Sequence, residues 1–197
     1  MHDKLHQDLK MTVYSALLAA LIAAGAYVAI PVGPVPIVLQ NMFVLLAGLL
    51  LGKNWGACSV AVYLIAGSAG LPVFAQGRGG MGVIFGPTGG YLLSYLLAVY
   101  ITGMVSQMGH RKSRRNPSYV LYDAIALVCG TIVVYIGGVP WLKMYAGVSW
   151  SGAMALGLFP FLLGDGIKII AAIVIARTVR PIIRLNMARS GNESAAH

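Results

Sequence analysis

Asp165 and Lys168 stand three residues apart in FLLGDGIKIIAA, a stretch that otherwise holds only apolar residues and glycine. Residues three apart share one face of a helix, so this carboxylate and ammonium can pair and can both hydrogen-bond one polar ligand. Charged groups are expensive in apolar surroundings unless they are paired. The alternative is an internal ion pair without a ligand, which apolar side chains often replace without loss of stability. Gly164 and Gly166 flank the acid and leave room for a ligand or for a closely packed helix.

Long uncharged segments must position this pair. The chain has 197 residues, of which 58% are hydrophobic and 10% are charged. No Asp, Glu, Lys or Arg occurs in the segments 11–52, 54–77 and 79–110. Uncharged runs of this length are typical of membrane proteins. The sequence therefore predicts an all-α integral membrane protein with a single domain over residues 1–197.

Six segments are predicted to cross the membrane, since about 20 apolar residues span the hydrocarbon core. They are 11–30, 37–52, 55–67, 88–108, 119–137 and 161–179, and a short helix over 151–158 is expected at the interface. Pro160 suits the first turn of the sixth helix. Asp165 then lies roughly 7–8 Å along the axis from the outer end of that helix. An ionisable group at this depth indicates a functional site.

Basic residues give the orientation, because cytoplasmic segments of membrane proteins carry an excess of Lys and Arg. Six spans place both termini on one side. With the N-terminus inside, eleven of the fourteen basic residues fall in inner segments: Lys4, Lys10, Lys53, Arg111, Lys112, Arg114, Arg115, Arg177, Arg180, Arg184 and Arg189. Arg78 and Lys143 fall outside. We predict a multi-pass protein of the cell membrane with cytoplasmic tails at about 1–10 and 181–197, and no binding of nucleic acid.

A glycine-rich loop, GLPVFAQGRGGMGVIFGPTGGYL, is predicted on the outer side between the third and fourth helices. It holds no GxxxxGK[ST] pattern, and its glycines do not fit a dinucleotide-binding turn between a strand and a helix. Glycines let the backbone approach a small ligand closely. The apolar residues of the loop argue against disorder, so we expect it to fold over a site between the helices.

Two stretches of the chain resemble the biotin-specific substrate-binding subunit (BioY) of energy-coupling factor transporters. They are GLPVF…GRGG…FGPTGGYL in the loop and PFLLGDGIK in the last span. The resemblance covers roughly residues 10–180, in order and at the expected spacing. Gln76 departs from it, at a position where the family is expected to have a small residue. The resemblance implies six helices, high-affinity binding and membrane transport of biotin, and a site near the outer face. It implies no chemistry of its own, no cofactor and no metal.

The resemblance also implies which residues form the site. They are Asp165 and Lys168, with Phe74, Gly79, Gly80, Gly86, Thr88 and Tyr91. Gln40 and the Pro34–Pro36 turn could complete the wall, although that turn could equally cap a helix. Biotin offers two ureido N–H donors, one carbonyl acceptor, an apolar thioether ring and a carboxylate tail. Asp165 could accept a ureido N–H, Lys168 could donate to a ligand oxygen, and Tyr91 and Phe74 could form apolar walls or ordinary helix packing.

Small residues recur along the first span at Ala16, Ala20 and Ala24. Such a face lets two membrane helices approach closely, either within this chain or with a partner. The resemblance favours a partner, because the first helix of these transporters docks the transmembrane coupling subunit through alanines. The sequence lacks Walker elements, so the resemblance assigns ATP hydrolysis to separate ATP-binding subunits.

Three alternative functions make different demands on the sequence. An intramembrane enzyme would need several facing acids or histidines, yet the chain has five Asp and Glu residues, three of them in its tails. Cys58 and Cys129 belong to no CxxC or Cys/His cluster, which argues against structural zinc. A solitary biotin permease, and a substrate-binding subunit for another small vitamin, both remain open from the sequence.

Overall fold

A computed structural model of the chain describes residues 2–31, 33–112 and 119–194. Within these residues the chain forms seven α-helices, one two-stranded ribbon and one 3-10 turn. The helices are α1 (His2–Tyr27), α2 (Gln40–Ser68), α3 (Met81–Ile84), α4 (Gly89–Lys112), α5 (Tyr119–Ala146), α6 (Trp150–Gly157) and α7 (Phe159–Ser194). The ribbon pairs β1 (Ala29–Ile30) with β2 (Ile37–Val38), and the 3-10 turn covers Ala75–Gly77. Most of the predicted basic loop, 113–118, lies outside the described residues.

Helix α2 is a hairpin rather than one straight rod. Gly52 has φ 77° and ψ −175°, which interrupts the helical geometry. A Cβ atom on Gly56 would lie 3.0 Å from the carbonyl oxygen of Ala47. In a straight helix residues nine apart would be about 13 Å from each other. The halves 40–51 and 53–68 therefore run antiparallel.

Among the described residues, five helices are long and apolar enough to cross a membrane, namely α1, α2, α4, α5 and α7. Because α2 contributes two antiparallel segments, the chain makes six passes, and the predicted all-α fold with six spans is confirmed. The glycine-rich loop, residues 69–88, lies between the third and fourth passes as expected. It contains the 3-10 turn and α3, two short helical elements that the sequence did not indicate.

Helix ends differ from the predicted span ends. α1 begins at His2 rather than near residue 11, and α7 begins at Phe159 and continues to Ser194 past the predicted end near 179. Hydropathy marks where a helix leaves the apolar layer, whereas the helix itself ends where capping or chain geometry ends it. The short helix expected over 151–158 is α6, where the Ser149 hydroxyl accepts a hydrogen bond from the Gly152 N–H at 3.2 Å.

The 40–51 half of α2 lies at the centre of the bundle. The side chains of Val44, Leu45, Leu46, Ala47 and Leu49 are all at most 4% exposed. α4 packs against both α2 and α5. Glycines allow this close approach, as small residues do in membrane helices. A Cβ atom at 90 in α4, for example, would lie 2.6 Å from the carbonyl oxygen of residue 137 in α5.

The bundle has two chemically different ends. We call the end formed by the ribbon and residues 69–88 the loop end. The opposite end, which we call the basic end, carries the Gly52 turn, Lys53, His110, Arg180 and Arg184. α1 and α7 meet there, where Lys10 Nζ donates a hydrogen bond to the Asn186 carbonyl at 2.9 Å.

A buried ion pair ties the helices together at the basic end. Asp123 of α5 is fully buried, and Arg180 of α7 donates to both of its carboxylate oxygens, at 2.7 and 3.2 Å. Ser106 of α4 donates to the same carboxylate at 2.6 Å. Arg180 also donates to the Leu49 carbonyl at 2.9 Å, in the last turn of the 40–51 half, where helix carbonyls lack helical partners. One arginine therefore connects α2, α4, α5 and α7.

Candidate ligand-binding site

At the loop end, α2, α4, α5, α7 and the glycine-rich loop surround a cavity with a mostly apolar lining. It encloses about 670 Å³ of non-atom space, counted out to its mouth. The lining consists of Val35, Pro36, Val38, Gln40, Asn41, Leu45, Phe74, Ala75, Val83, Thr88, Tyr91, Leu92, Tyr95, Thr131, Val134, Tyr135, Phe161, Asp165 and Lys168.

Four polar side chains form one connected group in the wall of this cavity. Lys168 Nζ lies 3.1 Å from Asp165 Oδ1 and 3.2 Å from Asn41 Oδ1. Asn41 Nδ2 donates to Asp165 Oδ1 at 3.0 Å, and the Tyr135 hydroxyl donates to Asp165 Oδ2. The pair predicted on α7 is thus held by one residue of α2 and one of α5. We call Asn41, Tyr135, Asp165 and Lys168 the polar quartet.

The polar quartet leaves capacity for a ligand. An ionised carboxylate has about four acceptor positions, and the quartet fills three of those on Asp165. An ammonium has three N–H donors, and Asn41 and Asp165 accept two from Lys168. One acceptor position, on Asp165 Oδ2, and one Lys168 N–H donor therefore remain in the wall of the cavity, where hydrogen bonds to charged groups are strong. A ligand that presents an N–H next to a carbonyl oxygen matches this arrangement.

A further donor is available at Gln40. Its side chain is 1% exposed and lines the cavity, and its Nε2 has no hydrogen-bond partner among the described residues. A buried donor without a partner costs free energy, so an acceptor on a ligand would stabilise this side chain. The cavity therefore has two polar positions, Gln40 and the polar quartet, in an otherwise mostly apolar lining, and two such positions can fix the orientation of a ligand.

Six of the nine residues predicted for the site line the cavity. Besides Asp165, Lys168 and Gln40, they are Phe74, Thr88 and Tyr91. Phe74 is fully buried and contacts the Tyr63 ring edge-on, with ring centroids 5.5 Å apart. Tyr91 also has a structural role, because its hydroxyl donates to the Gly157 carbonyl at 2.8 Å.

The other three predicted residues, Gly79, Gly80 and Gly86, do not line the cavity. A Cβ at Gly79 would overlap the Leu71 carbonyl oxygen, and the Gly86 carbonyl accepts the indole N–H of Trp141 at 2.8 Å. Gly80 has φ 89°, a value that favours glycine, and it precedes α3. In this structure these glycines shape the loop, and its side chains Phe74, Ala75 and Val83 reach the cavity.

Asn41 and Tyr135 were not predicted, although both contact Asp165. Each is a polar residue in a predicted apolar span, and this is the signal in the sequence that could have identified them. Uncharged polar residues are common enough in membrane helices that the signal is weak. Tyr95, on α4, was also missed; it is 5% exposed and lines the cavity.

The alanine face of α1 is directed away from the bundle. Ala16, Ala20 and Ala24 are all exposed. The side of α1 that packs against the rest of the chain carries other residues, namely Ser15, Leu18, Ala19, Ile22 and Ala26, which are all buried. Within this chain the alanine face therefore has no helix packed on it among the described residues.

Acidic, histidine and cysteine side chains do not cluster as a metal site would require. Among the described residues, no three of them come together in a way that could hold an ion. The described residues instead form a mostly apolar cavity with the polar quartet in its wall.

Residues 1–185 match the model of the BioY family. The chain belongs to the BioY family. The probable biotin transporter BioY of Pyrococcus horikoshii is 38% identical over 165 residues, which cover 84% of this chain and 93% of that protein. The biotin transporter BioY of Thermotoga maritima is 36% identical over 174 residues, 88% of this chain and 98% of that protein.

A solved structure shares the BioY fold. It is described as the S-component for biotin from an ECF-type ABC transporter, and it superposes with a TM-score of 0.79 at 33% sequence identity. The match covers 89% of this chain and 93% of the other. The chain is thus a multi-pass membrane protein of a transporter family, and the match extends over nearly its whole length.

Proposed function

We propose that this chain binds biotin at the loop end and carries it across the membrane as the substrate-specificity subunit of an energy-coupling factor transporter. The observation that carries the proposal is the cavity with its polar quartet, in a chain that belongs to the BioY family. The names of the relatives and of the solved structure support biotin as the ligand.

The chemistry of biotin fits the cavity. A ureido group presents N–H donors beside a carbonyl oxygen, which complements the free acceptor on Asp165 and the free donor on Lys168. Aromatic walls at Phe74, Tyr91 and Tyr95 suit the apolar thioether ring. The Gln40 amide offers a donor to another ligand oxygen.

The identity of the ligand is tested by purifying the protein without added vitamin and identifying the small molecule that co-purifies by mass spectrometry. We expect biotin. Titration calorimetry with biotin, thiamine and riboflavin on ligand-free protein gives the matched comparison, and we expect heat of binding with biotin alone. Saturable binding of another vitamin in preference to biotin would assign the cavity to that compound instead.

We further propose that the protein has no catalytic activity and depends on partner subunits for energy. The sequence has no GxxxxGK[ST] motif, so ATP hydrolysis falls to ATP-binding subunits joined through a transmembrane coupling subunit. The exposed alanine face of α1 supports docking of that coupling subunit, because small residues let helices approach closely.

Replacing Ala20 with Trp is expected to abolish co-purification of the coupling subunit. The indole would hold the two helices apart at the centre of the alanine face. Biotin binding by the isolated protein is expected to stay unchanged, because Ala20 is exposed and does not line the cavity. Pull-down of the co-expressed coupling subunit and calorimetry with biotin measure the two effects separately.

Leu21→Trp provides the control for bulk on α1. Leu21 is exposed, and it points about 100° around the helix from Ala20. This variant is expected to keep its partner. Loss of biotin binding with retention of the partner in Ala20→Trp would place the alanine face in internal packing. Unchanged biotin uptake by cells without the coupling subunit would favour a solitary permease.

We propose that the basic end faces the cytoplasm, on the strength of the Lys and Arg distribution. The test uses a variant in which Cys58 and Cys129 are replaced by Ala. A cysteine at Asn54, an exposed position beside the Gly52 turn, is expected to react with an impermeant maleimide only after the cells are opened. A cysteine at Ala146, exposed at the other end of α5, is expected to react in intact cells. The reverse pattern would invert the orientation.

A further inference from the structure

A second cavity opens at the basic end, on the opposite side of the bundle from the polar quartet. It encloses about 1160 Å³ of non-atom space, counted out to its mouth. Its walls are the Gly52 turn, the last turns of α4 and the part of α7 around Arg180. Nothing in the proposed binding of biotin uses this space.

Positive charge dominates the walls of this cavity. Arg180 is 7% exposed and lines it, with its charge compensated by the buried carboxylate of Asp123. Arg184, one turn further along α7, lines the cavity as well and is exposed. His110 also lines the cavity and lies 3.6 Å from Asp123. The buried Asp123 carboxylate thus compensates Arg180, and Arg184 adds an exposed positive charge to the walls.

Polar donors and apolar side chains alternate around the same space. Gln107 and Ser106 supply polar atoms from α4, whereas Leu50 and Ile183 supply apolar walls. Large apolar side chains flank the region on its outer surface, since Met108, Ile182 and Leu185 are 53%, 54% and 64% exposed. These walls suit an amphiphilic ligand, with an anionic group at one end and a hydrocarbon chain at the other.

We propose that this cavity binds the phosphate headgroup of an anionic phospholipid from the adjacent leaflet. Basic pockets between membrane helices are suited to such headgroups, and anionic lipids are enriched where basic residues face the cytoplasm. Arg184 holds the phosphate oxygens by charge-assisted hydrogen bonds, and Gln107 adds a donor. The acyl chains lie along the exposed apolar surfaces of α4 and α7. Free phosphate has no hydrocarbon to make these contacts, so the surfaces favour a lipid as the ligand.

The test compares lipid binding by three proteins that have been stripped of lipid in detergent: the unaltered chain, Arg184→Ala and Arg177→Ala. Arg177 is an exposed arginine of α7 that does not line the cavity, so its removal changes the net charge equally. Short-chain phosphatidylglycerol is titrated at about 0.15 M salt, where long-range attraction between exposed charges is screened. Retained lipid is counted by native mass spectrometry, and the midpoint of thermal unfolding is followed in parallel.

We expect phosphatidylglycerol to raise the unfolding midpoint of the unaltered chain and of Arg177→Ala, and Arg184→Ala to bind it about tenfold more weakly. Phosphatidylcholine and glycerol phosphate should leave the midpoint unchanged.

All three proteins should bind biotin equally, because the basic-end cavity lies at the opposite end of the bundle from the proposed biotin site. Equal lipid binding by Arg184→Ala and the unaltered chain would overturn the proposal. Stabilisation by glycerol phosphate alone would assign the cavity to a free phosphate compound.

Discussion

Asp165→Asn is expected to weaken biotin binding by roughly ten- to a hundredfold. The amide keeps the size of the carboxylate but replaces part of its acceptor capacity with a donor, which faces the donors of Asn41, Tyr135 and Lys168. Loss of a hydrogen bond to a charged group costs about 1.5–3 kcal/mol, and about 1.4 kcal/mol corresponds to a tenfold change in affinity. Titration calorimetry of the purified variant measures the effect.

The double variant Asp165→Asn/Lys168→Met separates ligand binding from stability. The single variant leaves the Lys168 ammonium without its counter-charge, and the second substitution removes that charge. If the site assignment holds, the double variant regains thermal stability and still binds biotin weakly. Near-native biotin affinity of Asp165→Asn, with a lowered unfolding midpoint, would instead identify a purely structural ion pair.

Arg180→Met is expected to destabilise the fold by about 3–5 kcal/mol, because it leaves the Asp123 carboxylate buried without a compensating charge. It also removes the donor to the Leu49 carbonyl and thus one connection between α7 and α2. Equilibrium unfolding in mixed detergent micelles measures the loss. Biotin affinity of the remaining folded protein should change little, since Arg180 does not line the loop-end cavity.

Asp123→Leu/Arg180→Met is the matched comparison for this prediction. Replacing both members of a buried ion pair with apolar residues is often neutral, so the double variant should recover most of the lost stability. Equal instability of the single and double variants would mean that Arg180 stabilises the fold through its contacts with Leu49 and Ser106 rather than through its charge.

Hydropathy predicted the six passes of this chain because a segment that crosses the apolar layer must itself be predominantly apolar. It also separated 37–52 from 55–67, and the reversal at Gly52 lies between these segments. The ends of α1 and α7 were not predictable in this way, since a helix continues into water wherever the residues allow it. The β1–β2 ribbon depends on contacts between segments seven or more residues apart, and no local pattern indicates it.

The charged half of the polar quartet was predictable and the neutral half was not. Asp165 and Lys168 stand out because charges are rare in apolar spans. Asn41 is 124 residues from Asp165 along the chain, and Tyr135 is 30 residues away, so only the folded bundle brings them together. The glycines of the loop show the opposite case. Their need for close backbone approach was evident, but in the structure Gly79 approaches the backbone of Leu71.

The Gly52 reversal has a consequence for how the protein is made. The halves 40–51 and 53–68 contain 12 and 16 residues, or about 18 and 24 Å of helix, whereas the hydrocarbon core is about 30 Å thick. Each half is shorter than the core it crosses, so we expect the two halves to insert together as one hairpin. Asn41 is then in place well before synthesis reaches α7, which supplies Asp165 and Lys168. We therefore expect the nascent chain to bind no ligand until its final helix has joined the others.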